Sequence, residues 1–200
     1  MESKSGNPTF SVAAVILAGG QGSRMGGEDK GLVRFRQRPM ISAILEKMGP
    51  FVDETVISCN RNHLQYSEFG YALVSDEGEG FLGPLAGIQA ALSELKIRHS
   101  HLLVLPCDTP LLSENLIERL IQQGLELPEA ISILKAGERD HFLHALIPMQ
   151  YSDNLDQFLA SGMRAVYRWY KQYPLQKIDS YPLSHSLINI NQLDQLQDTA

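Results

Sequence analysis

The sequence predicts an α/β domain of three layers, in which helices cover both faces of a mainly parallel sheet that has a Rossmann-like nucleotide-binding half. Three observations predict this class. Short apolar runs alternate with stretches of helical periodicity through the first two thirds of the chain. Their spacing fits right-handed β–α–β crossovers. The runs end at glycine or polar residues, among them Gly19, Asn60, Asp76 and Asp108, and open parallel sheets bind ligands at such strand ends.

Four strands are expected in the first half of the chain. Each is a short apolar run bounded by turn residues, which is typical of a buried strand in a parallel sheet. The runs cover residues 12–18, 55–59, 71–74 and 101–105.

Helices are expected between these strands, because apolar residues recur there at spacings of three and four. The first helix covers residues 39–48, with Pro39 in its first turn and Gly49-Pro50 at its end. The second covers residues 84–95, and a third begins after Ser113, a suitable N-cap residue.

The second half of the chain gives a looser pattern. Strands are expected over residues 130–134 and 142–147, with a polar turn over 135–141 between them. The remaining expected elements are helices over 153–159 and 163–170, a short strand over 187–190, and a terminal helix that contains Leu193 and Leu196.

No linker or internal repeat divides the chain, so one domain is expected over residues 12–200, after a flexible tail over residues 1–11. Within the domain, two halves are expected, over residues 12–112 and 113–200. The tail has no segment of signal-peptide type, and no apolar run is long enough to cross a bilayer. Cys59 and Cys107 lie in or just after apolar runs, and buried free thiols in a reducing cytoplasm are expected.

The formal net charge of −6 argues against a general nucleic-acid-binding surface. An anionic ligand would instead need a local cluster of positive charge. One such cluster consists of Arg24, Lys30, Arg34, Arg36 and Arg38. The last three are expected on a solvated edge that attracts anions, rather than as direct ligands.

The loop after the first strand carries the strongest chemical signal. Five glycines fall within nine residues from Gly19 onward, and glycines let backbone N–H groups approach an anion closely. Arg24 and Lys30 add positive charge, so a nucleotide polyphosphate is the expected ligand. Spacing excludes two common phosphate loops. Gly31 stands where a Walker A loop needs Ser or Thr, and Met25 stands where a Rossmann fingerprint needs its third glycine.

Several segments, taken together, carry a family resemblance. The first motif is Leu17-Ala18-Gly19-Gly20, then Arg24-Met25-Gly26, Asp29-Lys30, Leu32 and Arg38-Pro39. The later motifs are Gly83-Pro84-Leu85-Ala86-Gly87, Pro106-Cys107-Asp108-Thr109-Pro110, Gly137-Glu138-Arg139-Asp140-His141 and Asn189-Ile190-Asn191. In this order the motifs resemble those of the molybdenum cofactor guanylyltransferase family of nucleotidyltransferases. One departure is Phe142-Leu143-His144, where that family usually has proline and a small or hydroxyl residue.

The resemblance implies a nucleotide-diphospho-sugar transferase-like fold and a Mg2+-dependent reaction. The terminal phosphate of molybdenum-molybdopterin would attack the α-phosphorus of GTP and release pyrophosphate. The attacking phosphate is already ionised, so catalysis would rest on positioning and charge neutralisation rather than on a general base. Transient contacts with other cofactor-biosynthesis proteins are a further expectation, whereas nucleic-acid and membrane partners are not expected.

The resemblance also implies roles for individual residues. Arg24 and Lys30 would hold the triphosphate, and Asp108 would hold Mg2+, which prefers oxygen ligands. These three residues form the expected catalytic group. The other expected contacts to nucleotide or acceptor are Leu17, Ala18, Gly19, Gly20, Gly22, Asn60, Asp76, Gly83, Asn189 and Asn191.

Alternative hypotheses are a CTP-dependent transferase, a sugar- or polyol-phosphate nucleotidyltransferase, and a non-catalytic carrier of the cofactor. Gly19-Gly20 after Ala18 favours guanine, because relatives that use CTP tend to have Leu-Ala-Ala-Gly at this position. The intact catalytic group argues against a carrier without activity.

The spacing of His141 and His144 beside Asp140 is compatible with zinc ligands. A regular strand would direct the two histidines to opposite faces, so no zinc site is expected. His141, next to Arg139, is a better candidate for a contact to the pterin phosphate. Trp169 is expected to serve packing.

Overall fold

A computed structural model of the protein describes residues 10–19, 29–76 and 83–190. The strands are β1 (Val12–Leu17), β2 (Arg34–Phe35), β3 (Arg38–Pro39), β4 (Glu54–Ser58), β5 (Ala72–Val74), β6 (His101–Pro106), β7 (Ile131–Ala136), β8 (Arg139–Pro148) and β9 (Leu175–Asp179). The α-helices are α1 (Met40–Met48), α2 (His63–Ser67), α3 (Pro84–Leu95), α4 (Glu114–Glu126), α5 (Ser152–Ala160) and α6 (Val166–Tyr170).

Seven of these strands form one sheet in the order β5-β4-β1-β6-β8-β7-β9. Strands β5, β4, β1 and β6 pair in parallel, and β7 pairs in parallel with β9. Strand β8 runs antiparallel to both of its neighbours, β6 and β7. The mainly parallel sheet that the sequence predicts is therefore confirmed, with one reversed strand in the second half.

The central strand β1 shows why the domain has three layers. Ala14 and Ile16 belong to an apolar cluster with the buried residues of α1 and α4. Ala13 and Val15 belong to a second cluster on the other face, formed with α3, α5 and α6. Successive side chains of a strand point to opposite faces, so an uninterrupted apolar run buries both faces of the sheet.

The elements of the first half lie close to the expected ones. The helix α3 spans Pro84–Leu95, as predicted, and the four strands differ from the predicted ranges by one residue at one end or, for β4, at both ends. Pro39 lies just before α1 instead of in its first turn. Ser113 precedes α4, and its main-chain carbonyl accepts hydrogen bonds from the N–H groups of Leu116 and Ile117, whereas its side chain makes no cap.

The expected strand over residues 187–190 is wrong. A 3-10 turn spans Ser184–Leu187, and residues 188–190 lie outside the sheet. Ile190 instead packs in a small apolar cluster with Val33, Phe35 and Met40, which draws the chain away from the sheet edge. The last sheet strand is β9, which the sequence interpretation missed because Leu175 and Ile178 are its only apolar residues.

The connection between β7 and β8 is also shorter than predicted. It consists of Gly137 and Glu138, and the positive φ of Gly137 (58°) suits a tight hairpin. The register shifts between Ile133 and Leu134, so that β8 carries extra residues at a bulge. A bulge redirects the side chains that follow it, and here it affects the histidines described below.

Two further small elements were not predicted. One is the β2–β3 hairpin, whose turn residues Arg36 and Gln37 have positive φ values of 48° and 67°. The other is α2. The expected terminal helix with Leu193 and Leu196 lies outside the described residues. Within the described ranges, every helix is too short or too polar to span a bilayer.

Candidate active site

The predicted polar residues meet at the carboxyl edge of the parallel strands. Gly19 follows β1, Asn60 follows β4, Asp76 follows β5 and Asp108 follows β6. The strand pairing extends into these turns, because the N–H of Ala18 donates to the carbonyl of Ser58 at 2.9 Å and the N–H of Cys107 donates to the carbonyl of Leu17 at 3.1 Å. The four residues are thus held at one edge by the backbone of the sheet.

Asn60 and Asp76 form a reciprocal pair. The Nδ2 of Asn60 donates to Oδ2 of Asp76 at 2.8 Å, and the backbone N–H of Asp76 donates to Oδ1 of Asn60 at 3.0 Å. Burial raises the pKa of Asp76, and the hydrogen bond from Asn60 partly offsets this effect. A Cβ on Gly19 would lie 3.3 Å from Nδ2 of Asn60, so the close approach of these two strand ends favours glycine.

Asp108 is the centre of a second group. Its Oδ2 lies 3.1 Å from Nζ of Lys30, and its Oδ1 accepts a hydrogen bond from Nδ2 of Asn189 at 2.7 Å. The carbonyl of Asp108 also accepts from the N–H of Ile190 at 2.8 Å, which fixes the segment that carries Asn189. The sequence placed Asn189 on a strand, and the structure brings it to Asp108 from an irregular segment instead.

The ion pair between Lys30 and Asp108 is half-buried. The exposed fractions of the two side chains are 23% and 14%. Coulombic interactions are stronger in such a site than at a fully hydrated surface, and each carboxylate oxygen retains a lone pair for a further ligand. The pair therefore places an amine and a carboxylate where a polyphosphate and a cation could meet.

Asp29, beside Lys30, was not predicted as a site residue. Its carboxylate is buried and lies against three side chains of the segment after β4: Arg61, Asn62 and Tyr66. In the sequence, the signals of this role were its place in the Asp29-Lys30 motif and its position next to the lysine of a cationic loop.

His144 lies under the turn that carries Asp108. Its Nε2 is 3.1 Å from Oγ1 of Thr109, the residue after Asp108. Complete burial, with smaller contributions from His141 and Arg139, lowers the pKa of His144 to about 3, so the ring is neutral at physiological pH.

The expectation that His141 and His144 face opposite sides of a strand is wrong. Their ring centroids lie 5.6 Å apart in an edge-to-face arrangement. The bulge in β8 is the physical reason, because it changes the alternation of side chains between the two positions. In the described ranges no group of three or more His, Cys, Asp or Glu side chains is arranged to hold a metal ion.

The remaining predicted residues divide into two sets. Leu17 and Ala18 lie at the end of β1, and Gly83 precedes α3 with a φ of 77°, a conformation that favours glycine. Gly20, Gly22, Arg24 and Asn191 lie outside the described residues.

The two cysteines are buried free thiols, as predicted. Burial, together with the nearby Asp29, raises the pKa of Cys59 to about 11. Burial also raises the pKa of Cys107. Both thiols are therefore protonated and unreactive at neutral pH.

Comparisons with known proteins agree with this architecture. The family model described as the MobA-like NTP transferase domain matches residues 14–175. The molybdenum cofactor guanylyltransferase of Shewanella sediminis is 38% identical over 189 residues, covering 94% of this chain and 95% of that protein. The crystal structure of molybdopterin-guanine dinucleotide biosynthesis protein A from Archaeoglobus fulgidus has a TM-score of 0.75 at 25% identity and covers 93% of this chain and 95% of that one.

A more distant structure shares the fold alone. It is 4-diphosphocytidyl-2C-methyl-D-erythritol synthase from Anaerococcus prevotii, which has a TM-score of 0.72 at 12% identity and covers 94% of this chain and 95% of that one. The predicted fold class is thereby confirmed.

Proposed function

The chain belongs to the molybdenum cofactor guanylyltransferase family of nucleotidyltransferases, and we propose that it transfers GMP from GTP to the phosphate of molybdenum-molybdopterin, with release of pyrophosphate. The observation that carries the proposal is the group formed by Lys30, Asp108 and Asn189 at the carboxyl edge of the sheet. This edge is where open parallel sheets bind nucleotides.

The base and ribose of GTP would bind at the ends of β1, β4 and β5. Leu17, Ala18 and Gly19 offer backbone groups there, and the paired side chains of Asn60 and Asp76 lie beside them. Gly20 and Gly22 would allow the following loop to approach the phosphates.

The triphosphate would bind to Lys30, which we place nearest the α-phosphate, together with Arg24. The amine of Lys30 already faces an anionic carboxylate in the structure, so its position suits an anionic ligand. In-line attack by an ionised phosphate needs aligned reactants and neutralised charge, and these groups supply both.

We propose that the reaction uses Mg2+ held by Asp108. The donor set fits this ion, because Mg2+ commonly binds one or two carboxylates and completes its shell with water and substrate phosphates. When bound, the ion would neutralise phosphate charge during the displacement. Asn189 orients the carboxylate of Asp108 through its hydrogen bond at 2.7 Å.

The acceptor would enter from the half of the domain formed by residues 113–200, opposite the nucleotide half formed by residues 12–112. We place Asn189 and Asn191 on this side of the reaction centre. His141 would face the pterin phosphate, since it lies beside Arg139 at the carboxyl edge. Other cofactor-biosynthesis proteins are proposed as transient partners for delivery and release.

The reduced thiols Cys59 and Cys107 support a cytoplasmic location, where thiols stay reduced.

A nucleotide-competition experiment tests the proposal. The purified protein with Mg2+ is offered each of the four nucleoside triphosphates, with molybdenum-molybdopterin or with a sugar phosphate as acceptor, and pyrophosphate release is measured. GTP with molybdenum-molybdopterin should give the fastest release. Equal rates with CTP would refute the guanine assignment, and binding of both substrates without pyrophosphate release would indicate a carrier. Omission of Mg2+ should abolish release, and unchanged release would refute the metal assignment.

A further inference from the structure

Four groups contact the Asp29 carboxylate, which lies beside the candidate site. Its side chain is only 3% exposed. Oδ1 accepts hydrogen bonds from the hydroxyl of Tyr66 at 2.5 Å and from the N–H of Gly31 at 3.3 Å. Oδ2 accepts a hydrogen bond from Nδ2 of Asn62 at 3.0 Å and lies 3.4 Å from Nε of Arg61. A buried carboxylate requires such partners, because desolvation without them is costly.

Backbone hydrogen bonds fix the residues on both sides of Lys30. The carbonyl of Asp29 accepts from the N–H groups of Leu32 and Val33 at 3.0 and 3.1 Å, and the carbonyl of Gly31 accepts from the N–H of Ile41 at 3.1 Å. Lys30 therefore lies in a turn that the Asp29 carbonyl closes locally and that the Gly31 carbonyl joins to α1.

Tyr66 fills the space behind this turn. Its side chain is fully buried on α2, and burial raises the pKa of the phenol, so its hydroxyl remains a donor to Asp29. A Cβ on Gly31 would lie 2.5 Å from the hydroxyl oxygen of Tyr66, which leaves room there for glycine only. The tyrosine thus sets the position of the turn by hydrogen bonding and by contact.

The residues that hold Asp29 also continue directly from Asn60. Arg61 and Asn62 are the next two residues, and Asn62 adopts a left-handed conformation with a φ of 57°. Such conformations persist in non-glycine residues when surrounding contacts enforce them. A short segment therefore carries one side chain toward Asp76 and the next two toward Asp29.

We infer that Asp29 and Tyr66 are positioning residues that hold Lys30 in register with the segment carrying Asn60, so that the base side and the phosphate side of the nucleotide site are set by one rigid unit. The inference concerns where Lys30 is held, and its catalytic consequence rests on the proposed function. Neither residue need touch the nucleotide, because both act through the backbone of the turn.

The acetylation rate of Lys30 tests the placement without any nucleotide. Trace acetic anhydride labelling of the purified protein, followed by mass spectrometry, compares wild type with Tyr66→Phe, which removes only the hydroxyl. Loss of one hydrogen bond to the buried carboxylate should loosen the turn. The acetylation rate of Lys30, measured relative to the rates of Lys96 and Lys177, should then rise about three-fold or more. Asp29→Asn, which removes the charge, should have the same effect. Unchanged labelling in both variants would overturn the inference.

Tyr170→Phe is the matched control. Tyr170 is also fully buried, and within the described part of the chain its hydroxyl has no hydrogen-bond partner. Its replacement should leave the labelling of Lys30 unchanged. An equal increase in this control would mean that any buried tyrosine affects Lys30 through general loosening, and would also overturn the inference.

A double-mutant cycle then separates positioning from general stability. GTP affinity is measured for Tyr66→Phe in the wild-type and Lys30→Ala backgrounds. If Tyr66 acts through Lys30, a loss of about five-fold or more in the first background should fall below about two-fold in the second. Equal losses in both would refute action through Lys30. Failure of the wild type to bind GTP would refute the proposed function, whereas the labelling result would still decide whether Lys30 is positioned by Tyr66.

Discussion

Charged side chains gather at both edges of the sheet, and they are used differently at the two edges. At the amino edge, the residues before the strands pair with one another. Oγ of Ser11 donates to Asp53 at 2.8 Å, and Glu54 lies 2.8 Å from His99 and 3.0 Å from Arg98. These contacts join the starts of neighbouring strands and are mostly exposed.

At the carboxyl edge, the Lys30–Asp108 ion pair lies beside the turn that carries Gly31. The Lys30–Asp108 pair is 23% and 14% exposed, whereas the Lys96–Asp153 pair near the amino edge is 36% and 82% exposed. Exposed pairs contribute little to stability because water screens them. Clustered charge alone therefore does not identify a site, whereas a half-buried ion pair at the carboxyl ends of parallel strands does.

The largest expected effect is a loss of activity when the Lys30–Asp108 pair is disrupted, a loss that disruption of the Lys96–Asp153 pair should not cause. Asp108→Asn removes the carboxylate charge while retaining the shape of the side chain, and Lys30→Ala removes the amine. Each should reduce pyrophosphate release at least about 100-fold, the scale observed when one charge-stabilising group is removed. Far-UV circular dichroism and the urea midpoint should stay close to wild type.

The matched controls are Asp153→Asn and Lys96→Ala, which break a pair of similar length but greater exposure. Both should retain wild-type turnover. Near-wild-type turnover in the Asp108 and Lys30 variants would refute the catalytic assignment and would remove the contrast between the two edges.

The next largest effect is expected on GTP binding, at the part of the carboxyl edge where the base of GTP would bind. Asn60→Ala removes both hydrogen bonds that join it to Asp76. Loss of such a polar contact should weaken GTP binding about ten-fold or more and reduce discrimination against CTP, because the remaining polar groups lose their partner. Isothermal titration with GTP and with CTP measures both. Asn154→Ala, on α5 beside Trp169, is the control that should leave both affinities unchanged.

The sequence predicted the residues of the carboxyl edge well, because buried parallel strands are recognisable as apolar runs that end at polar residues. Asp108, Asn60 and Asp76 each follow such a run, so their meeting at one edge follows from topology alone. The Asp29 network could not be obtained this way. Its partners come from a short helix and a left-handed asparagine, and neither gives a periodic signal.

The half of the sheet that contains the antiparallel strand β8 shows a second limit of prediction from sequence. The edge strand β9 has only Leu175 and Ile178 as apolar residues, so its alternation is weak. The bulge in β8 depends on its pairing with β7, and this long-range property brings His141 and His144 together although their separation predicts the reverse. Local patterns cannot encode a register shift that forms only on pairing.

The buried ring of His144, which lies under the turn that carries Asp108, should make the free energy of unfolding depend on pH. Its pKa of about 3 in the folded protein lies below the ordinary histidine value, so the unfolded chain binds a proton that the folded chain excludes. The stability contributed by the neutral ring is complete above about pH 6.5 and is lost as the pH falls toward 3. Between pH 7.5 and pH 5.0 this one group should lower the free energy of unfolding by about 2 kcal/mol.

Urea unfolding at the two pH values measures this effect. In His144→Gln, which can keep a hydrogen bond to Thr109, the decrease between pH 7.5 and pH 5.0 should be smaller by about 2 kcal/mol. The exposed His185, replaced by Gln, is the control and should leave the pH dependence as in wild type. An identical pH dependence in wild type and His144→Gln would contradict the buried neutral state.

The smallest effect belongs to the amino edge. Arg98→Met breaks the contacts from Arg98 to Glu54 at 3.0 Å and to Glu94 at 3.3 Å while keeping an apolar stem of similar length. Because Arg98 is 48% exposed, the urea midpoint should stay close to that of wild type, and turnover should be unchanged. Urea unfolding at 0.05 and 1 M NaCl checks the cause, since high salt should abolish even this small difference. A large decrease in the urea midpoint, or any loss of turnover, would mean that the amino edge does more than join strand starts and that half-burial does not distinguish the two edges.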